Sequence, residues 1–177
     1  VKLFADYAFT EQSLSNLAKV MNRAQIGSPN GAEWDSGKLS RIMANPLYVK
    51  ADADVYRYYE TAGAKLTNPI DDYIGENGCV TYGAWDRKRR KFSQWDSLSI
   101  SIGLHPGLID SYTFLRCQRK LMQNVQIGNE GKGKHTWLTG LMKCGYCGHA
   151  MRVVATGRCI PRVTCSGKTN YGTCDQY

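Results

Sequence analysis

An α+β fold in two unequal parts is what this sequence predicts, and three observations predict it. Apolar residues recur with helical spacing in several segments. Short alternating runs between them read as strands, and four cysteines crowd the far end of the 177-residue chain. The first part should be a mixed helical and small-sheet domain with a helix-turn-helix-like helix pair. The second should be a small β-ribbon built around the cysteines.

The helix pair comes first. Leu14, Leu17, Ala18 and Met21 fall at i, i+3, i+4 and i+7, one apolar stripe of a helix. Ser13 fits the N-cap, and Gly27-Ser28-Pro29-Asn30-Gly31 ends the element with turn residues. A second helix is expected over Ser36–Ala44, capped by Asp35 or Ser36 and stopped by Asn45-Pro46. Leu39, Ile42 and Met43 form its inward face, with Trp34 stapling its start. Gly37, Ser40, Arg41 and Ala44 point the other way, with Lys38 on one flank. Such small residues would let the helix axis approach a groove closely while Ser36, Lys38, Ser40 and Arg41 reach its edges. An ordinary solvated face would look the same, and both readings stay open.

Residues 47–109 are less regular. Leu47-Tyr48-Val49-Lys50 reads as a strand. Val55, Tyr58, Tyr59 and Ala62 read as a short helix ended by Gly63, and Cys79-Val80-Thr81-Tyr82 as a second strand. The alternation Leu98, Ile100, Ile102, Leu104 predicts a third. Between them, Arg87-Lys88-Arg89-Arg90-Lys91 lies among Trp85, Phe92 and Trp95, either as a solvated loop or as a phosphate-gripping hairpin tip. A longer helix should start at Asp110 or Ser111 and reach Gln123. It would bury Phe114, Cys117, Leu121 and Met122 and set Arg116, Arg119 and Lys120 on the opposite side as a cationic stripe. Gly128, Gly131 and Gly133 then sit among polar residues. The expected division is a domain over residues 1–124, a flexible linker over 125–136 and a ribbon over 137–177. Trp137–Met142 would enter that ribbon as a strand.

The cysteines carry the chemistry. Lys143-Cys144-Gly145-Tyr146-Cys147-Gly148-His149 is a Cys-Gly-x-Cys-Gly turn whose two glycines let backbone amides point at both sulfurs. Cys165 and Cys174 follow across a short hairpin and complete a tetrahedral thiolate set. His149 and His135 are possible substitutes, but closure favours ligands from two separated hairpins. A redox Cys-x-x-Cys fits less well, since no βαβ pattern follows and two cysteines would go unexplained. Scattered buried thiols are the remaining bland reading. A structural Zn²⁺ is expected, because four thiolates leave no open position for a reacting water. Zinc hydrolysis is thereby disfavoured. Cys79, Cys117 and Cys159 show no ligand spacing. The odd total of seven and the lack of a signal peptide point to a reducing cytoplasm.

Charge narrows the partners. The formal net charge is +8, yet residues 132–177 hold seven basic side chains (Lys132, Lys134, Lys143, Arg152, Arg158, Arg162 and Lys168) against Asp175 alone. Four thiolates on one Zn²⁺ would subtract two charges, leaving about +4 on a very small module. Basic ribbons of this kind suit a nucleic-acid backbone, which makes Lys143, Arg152, Arg158, Arg162 and Lys168 candidate contacts beside Arg87–Lys91. No apolar run approaches membrane-spanning length. The chain starts at Val1 inside an apolar-periodic segment, as a piece of something longer would.

Three blocks in order carry a resemblance: Trp34…Ile42-Met43-Ala44-Asn45-Pro46-Leu47-Tyr48; His105-Pro106-Gly107-Leu108-Ile109-Asp110…Phe114; and Leu138–Met151 around the first cysteine pair. Together they resemble the DNA-binding half of large serine recombinases, a recombinase domain followed by its zinc β-ribbon. The resemblance implies site-specific recombination at double-stranded attachment sites, as in phage integrases and conjugative-transposon recombinases, in a bacterial, phage or mobile-element setting. It implies a serine nucleophile in another domain, dimers on each site and tetramers in synapsis. No catalytic residue is therefore expected here, and no membrane or small-molecule partner. The Arg87–Lys91 insert is richer than the family pattern. The chain also stops three residues past Cys174, which would leave the ribbon without its closing strand, and no heptad run appears before Tyr177, so the family's coiled coil lies outside the chain or is lacking. A zinc-ribbon transcription regulator and a protein-interaction ribbon are the alternatives.

Overall fold

A computed structural model describes residues 1–29, 31–83, 95–123, 138, 140–154 and 161–176. The expected linker, the Arg87–Lys91 run, Arg158, Cys159, His135, and Trp137 and Thr139 of the expected strand at 137–142 lie outside them. Two compact units emerge. One joins Val1–Glu11 to Ser40–Val125, and the other joins Gln12–Leu39 to Gln126–Tyr177.

In the first unit, helix α1 spans Lys2–Phe9 and buries Phe4, Tyr7 and Ala8. It packs on a helix at Ser111–Gln123, described below as α5. The cations expected to form an outward stripe serve this packing. Arg116 Nε donates to the Ala8 carbonyl at 2.7 Å, and Lys120 Nζ donates to the Tyr7 and Thr10 carbonyls at 2.9 and 2.7 Å. Cations at the C-terminal end of α1 satisfy carbonyls that lack helical partners and meet the negative end of its dipole. Lys120 also lies over the Tyr7 ring, at 4.6 Å.

Leu47–Lys50 is not a strand. Asn45 caps a 3₁₀ turn at Pro46–Tyr48 by accepting from the Leu47 amide at 3.1 Å, and only Val49 forms an isolated parallel bridge, to Ile109. Proline at the first position has its φ already set for such a turn. His105 clasps this turn through Nε2 to the Leu47 carbonyl at 2.8 Å, while the Leu108 amide donates to the Tyr48 carbonyl at 2.8 Å. A Cβ at Gly107 would meet Lys50 Cα at 2.6 Å, so only glycine permits the approach. The first two of the three sequence blocks thus hold each other.

Helix α4 covers Ala53–Thr61, capped by Asp52 and ended with Gly63 at φ 83. Asp52 also accepts from the Ser111 hydroxyl, tying the start of α4 to that of α5. A three-stranded sheet has the order β1-β3-β2, with β1 (Lys65–Leu66) parallel and β2 (Asn77–Tyr82) antiparallel to β3 (Ser99–Pro106). The alternation expected through Leu104 breaks. An irregularity between Asn77 and Cys79 shifts the register, and Leu104 is fully exposed. Helix α5 matches the expected span, capped by Asp110 accepting from the Thr113 amide at 2.8 Å. Phe114, Cys117 and Leu121 are buried on it, but Met122 is exposed.

In the second unit, α2 spans Leu14–Arg23, with Ser13 accepting from the Asn16 amide at 3.2 Å. The residue that turns the chain after α2 at positive φ is Gln25 (φ 53), ahead of the expected glycines. Helix α3 is Ser36–Ala44, and Asp35 is its cap, accepting from the Lys38 amide at 2.8 Å. Its first four residues belong to the second unit and the rest to the first. Leu39 and Met43 are buried, as is Ala44, which had been expected to face outward. Strands β4 (Met151–Val154) and β5 (Arg162–Cys165) form an antiparallel hairpin. The described residues of the expected strand over 137–142 form a turn; pairing begins only with the Lys143–Ala150 bridge. Among the described residues no helix is long and apolar enough to cross a membrane.

Candidate metal centre and cationic face

The Cys144–Cys147 turn is shaped by its backbone. The Gly148 amide donates to the Cys144 carbonyl at 2.9 Å, and the Cys144 amide donates to the His149 carbonyl at 2.8 Å. Gly148 sits at φ 71, where a side chain is strained; Gly145 has an ordinary φ and open space around it, so one of the two glycines is required. Amides point at both sulfurs. Those of Cys147 and Tyr146 lower the Cys144 thiol to about 6. The His149 amide works to lower the Cys147 thiol too. Burial and the neighbouring sulfurs of Cys165, Cys144 and Cys174 outweigh it and push that thiol up to about 12. Sulfurs this close cannot all ionise without a shared cation.

Cys165 ends β5, and Cys174 follows a π-helical turn at Gly167–Tyr171. All four Sγ atoms lie within 4.8 Å of one another, with Cys147 and Cys165 at 3.4 Å. A tetrahedral site with Zn–S of about 2.3 Å needs sulfurs about 3.8 Å apart, so the cluster fits zinc after small shifts. Among the described residues the group is four soft thiolates, a set that fits a closed structural site. His149 is not a ligand in this cluster. Its Nε2 is held by Glu33 Oε2 at 2.7 Å. Gly167 lies against the sulfurs, where an added Cβ would meet Cys147 Sγ at 2.9 Å.

Strand register divides the ribbon into faces. Cross-strand partners share a side of the hairpin, so Arg152 with Thr164 and Val154 with Arg162 lie on one face. Met151 and Cys165 lie on the other, against the sulfur cluster. Arg152 and Arg162 are both exposed, and Arg152 is steadied by Asn170 Oδ1 at 3.0 Å. Lys143 is exposed at the start of the knuckle, and Lys168 is half-buried on the π turn.

On α3, Ser36 and Arg41 are exposed and Ser40 is half-buried. Lys38 is committed elsewhere, its Nζ donating to the Glu33 carbonyl at 2.5 Å. Sequence reasoning missed Asn22, Arg23 and Glu33 entirely. Asn22 donates to both the Trp34 and Tyr171 carbonyls, at 2.9 and 3.0 Å, and Arg23 donates to the Gly172 carbonyl at 3.2 Å. No periodicity or motif signals a contact between residues 149 positions apart.

Comparison with known families places these features. The family described as "Recombinase" matches residues 1–124, and the "Recombinase zinc beta ribbon domain" matches residues 137–177. No curated protein and no solved structure matches the chain. The four clustered cysteines fit the structural zinc of that ribbon family, and with the larger match covering well over half its length the chain belongs to the Recombinase family.

Proposed function

We propose that this chain is the DNA-binding part of a large serine recombinase and that it recognises double-stranded attachment-site DNA for integration or excision. The observation that carries this reading is the ordered pair of family matches, recombinase first and zinc ribbon second. The ribbon's geometry agrees with it, because Arg152 and Arg162 share the face turned away from the metal cluster. In this reading residues 1–124 and 137–177 are two DNA-contacting domains joined by 125–136. Helices α2 and α3 act as a helix-turn-helix-like pair. Arg41 reads base edges from α3, with Ser36 and Ser40 beside it. Lys38 contributes less than the sequence suggests, since its ammonium already has a backbone partner.

Arg152, Arg162, Lys143, Lys168 and Arg158, together with Arg87, Lys88, Arg89, Arg90 and Lys91, would hold phosphates. Phosphoserine chemistry would come from a domain outside both matched regions, and no residue here is assigned to it. Two subunits would occupy each site and four would assemble in synapsis. A zinc-ribbon transcription regulator would share the ribbon but gains no support from the match over residues 1–124.

Titration of the chain against a labelled duplex at several salt concentrations tests the reading. Binding should weaken steeply with salt, and the double change Arg152→Ala, Arg162→Ala should flatten the log–log slope by about two. Arg41→Ala should cost about 1–3 kcal/mol on an attachment site and less on random duplex. A chain with no duplex affinity at low ionic strength refutes the proposal.

A further inference from the structure

We propose that the metal-held loop of the ribbon is the seat of residues 12–39, so that zinc binding orders α2 and the start of α3 and zinc loss releases them. The inference rests on reading the four cysteines as a zinc site and is independent of what the chain binds.

The loop in question runs between two of the ligands, Cys165 and Cys174. The π turn at Gly167–Tyr171 lies within it, closed by the Gly172 and Thr173 amides donating to the Gly167 carbonyl, and the Thr169 hydroxyl donates to the Cys165 carbonyl at 3.1 Å. Both of its ends are cysteines of the sulfur cluster, so a metal there would fix where the turn begins and ends. Residues 12–39 rest on it at several points. Tyr171 and Gly172 offer their carbonyls to Asn22 and Arg23. A Cβ at Gly172 would meet Lys19 Cβ at 2.9 Å, so α2 lies directly on the backbone there. His149, whose ring packs 5.0 Å from that of Tyr171, reaches Glu33.

Asn22 makes this seat matter beyond α2. Besides Tyr171 it holds both the amide and the carbonyl of Trp34, the amide donating to Asn22 Oδ1 at 2.8 Å. Trp34 directly precedes Asp35, the cap of α3. One amide side chain thus joins the metal-bearing loop, the end of α2 and the start of α3. Helix α2 has 10 residues, below the length at which an isolated helix holds itself in water. If the loop loses its metal, Asn22 and Arg23 lose the Tyr171 and Gly172 carbonyls together, and α2 is left with its Ser13 cap and the buried Leu17 and Ala18. Coupling of this kind is reciprocal: what zinc does for the seat, the seat does for zinc.

Hydrogen exchange on the whole chain, zinc-loaded and zinc-stripped, tests this, with zinc content measured on the same samples. Protection should fall in residues 14–35 along with 144–174, while 47–61 and 111–121 keep theirs. Retained protection over 14–35, or a uniform loss across the chain, overturns the inference. The double change Asn22→Ala, Arg23→Met should still bind one zinc, but about tenfold more weakly in competition with a chelator, within the usual range of coupled sites. Unchanged zinc affinity overturns it as well. A chain that holds no zinc at all would instead sink the metal reading, which the zinc measurement reports separately.

Discussion

Between residues 40 and 123 the fully buried side chains include Tyr59, Phe114, Val49, Val55 and Ile100, and aromatic edges such as Tyr59 against Trp95 at 4.8 Å fill the space between helices and sheet. Among the described residues of the ribbon the buried cluster is Cys144, Cys165 and Cys174, with Cys147 and Met151 packed against it. The first region has enough apolar surface to hold itself by burial. The ribbon does not, and its four strand residues a side cannot replace what a metal supplies. The difference teaches that one chain has two separate ways to fail, and experiments can pull them apart.

The largest effect should come from Cys147→Ser. Structural zinc sites contribute on the order of 10–16 kcal/mol in isolated fingers, so this variant should lose its metal and the ribbon's ordered amide signals while 47–121 stays folded. A variant that keeps one zinc and an intact ribbon would remove Cys147 from the ligand set. The converse change is Phe114→Ala, at a fully buried position on α5. Emptying that volume should lower the stability of the first unit by about 3–5 kcal/mol in denaturant titration, with zinc still bound. Coincident loss of zinc would blur the comparison.

Thiol chemistry sharpens it at smaller amplitude. Burial pushes both Cys79 and Cys117 up to about 12, so at pH 8 they are protonated and slow to alkylate in the native chain. The four ribbon sulfurs should resist only while zinc is present and react soon after a chelator is added. Alkylation of Cys79 or Cys117 on the ribbon's timescale would show that the first unit opens as well.

How legible all this was depends on the range of the interactions. Helices α2, α3 and α5 were readable because Ser13, Asp35 and Asp110 cap them locally and their apolar spacing is clear. The cysteine pattern was readable for the same reason, since knuckle geometry is written in seven consecutive residues. Leu47–Lys50 misled because its β-rich composition yields to Pro46 and to the clasp by His105, which is distant in sequence. Leu104 misled because a register irregularity ends the alternation. Cations on α5 looked like a free stripe, yet two of them close α1 through backbone carbonyls more than a hundred residues away. The seat formed by Asn22, Arg23 and Glu33 left no mark at all, because single polar side chains meeting distant carbonyls have no period to detect.

Elemental analysis of the purified chain, read beside a count of free thiols, tests the central claim most directly. The account predicts one zinc per chain, with four of the cysteines becoming titratable only when the metal is removed. A folded ribbon carrying no metal, or its cysteines found paired as disulfides, would contradict it.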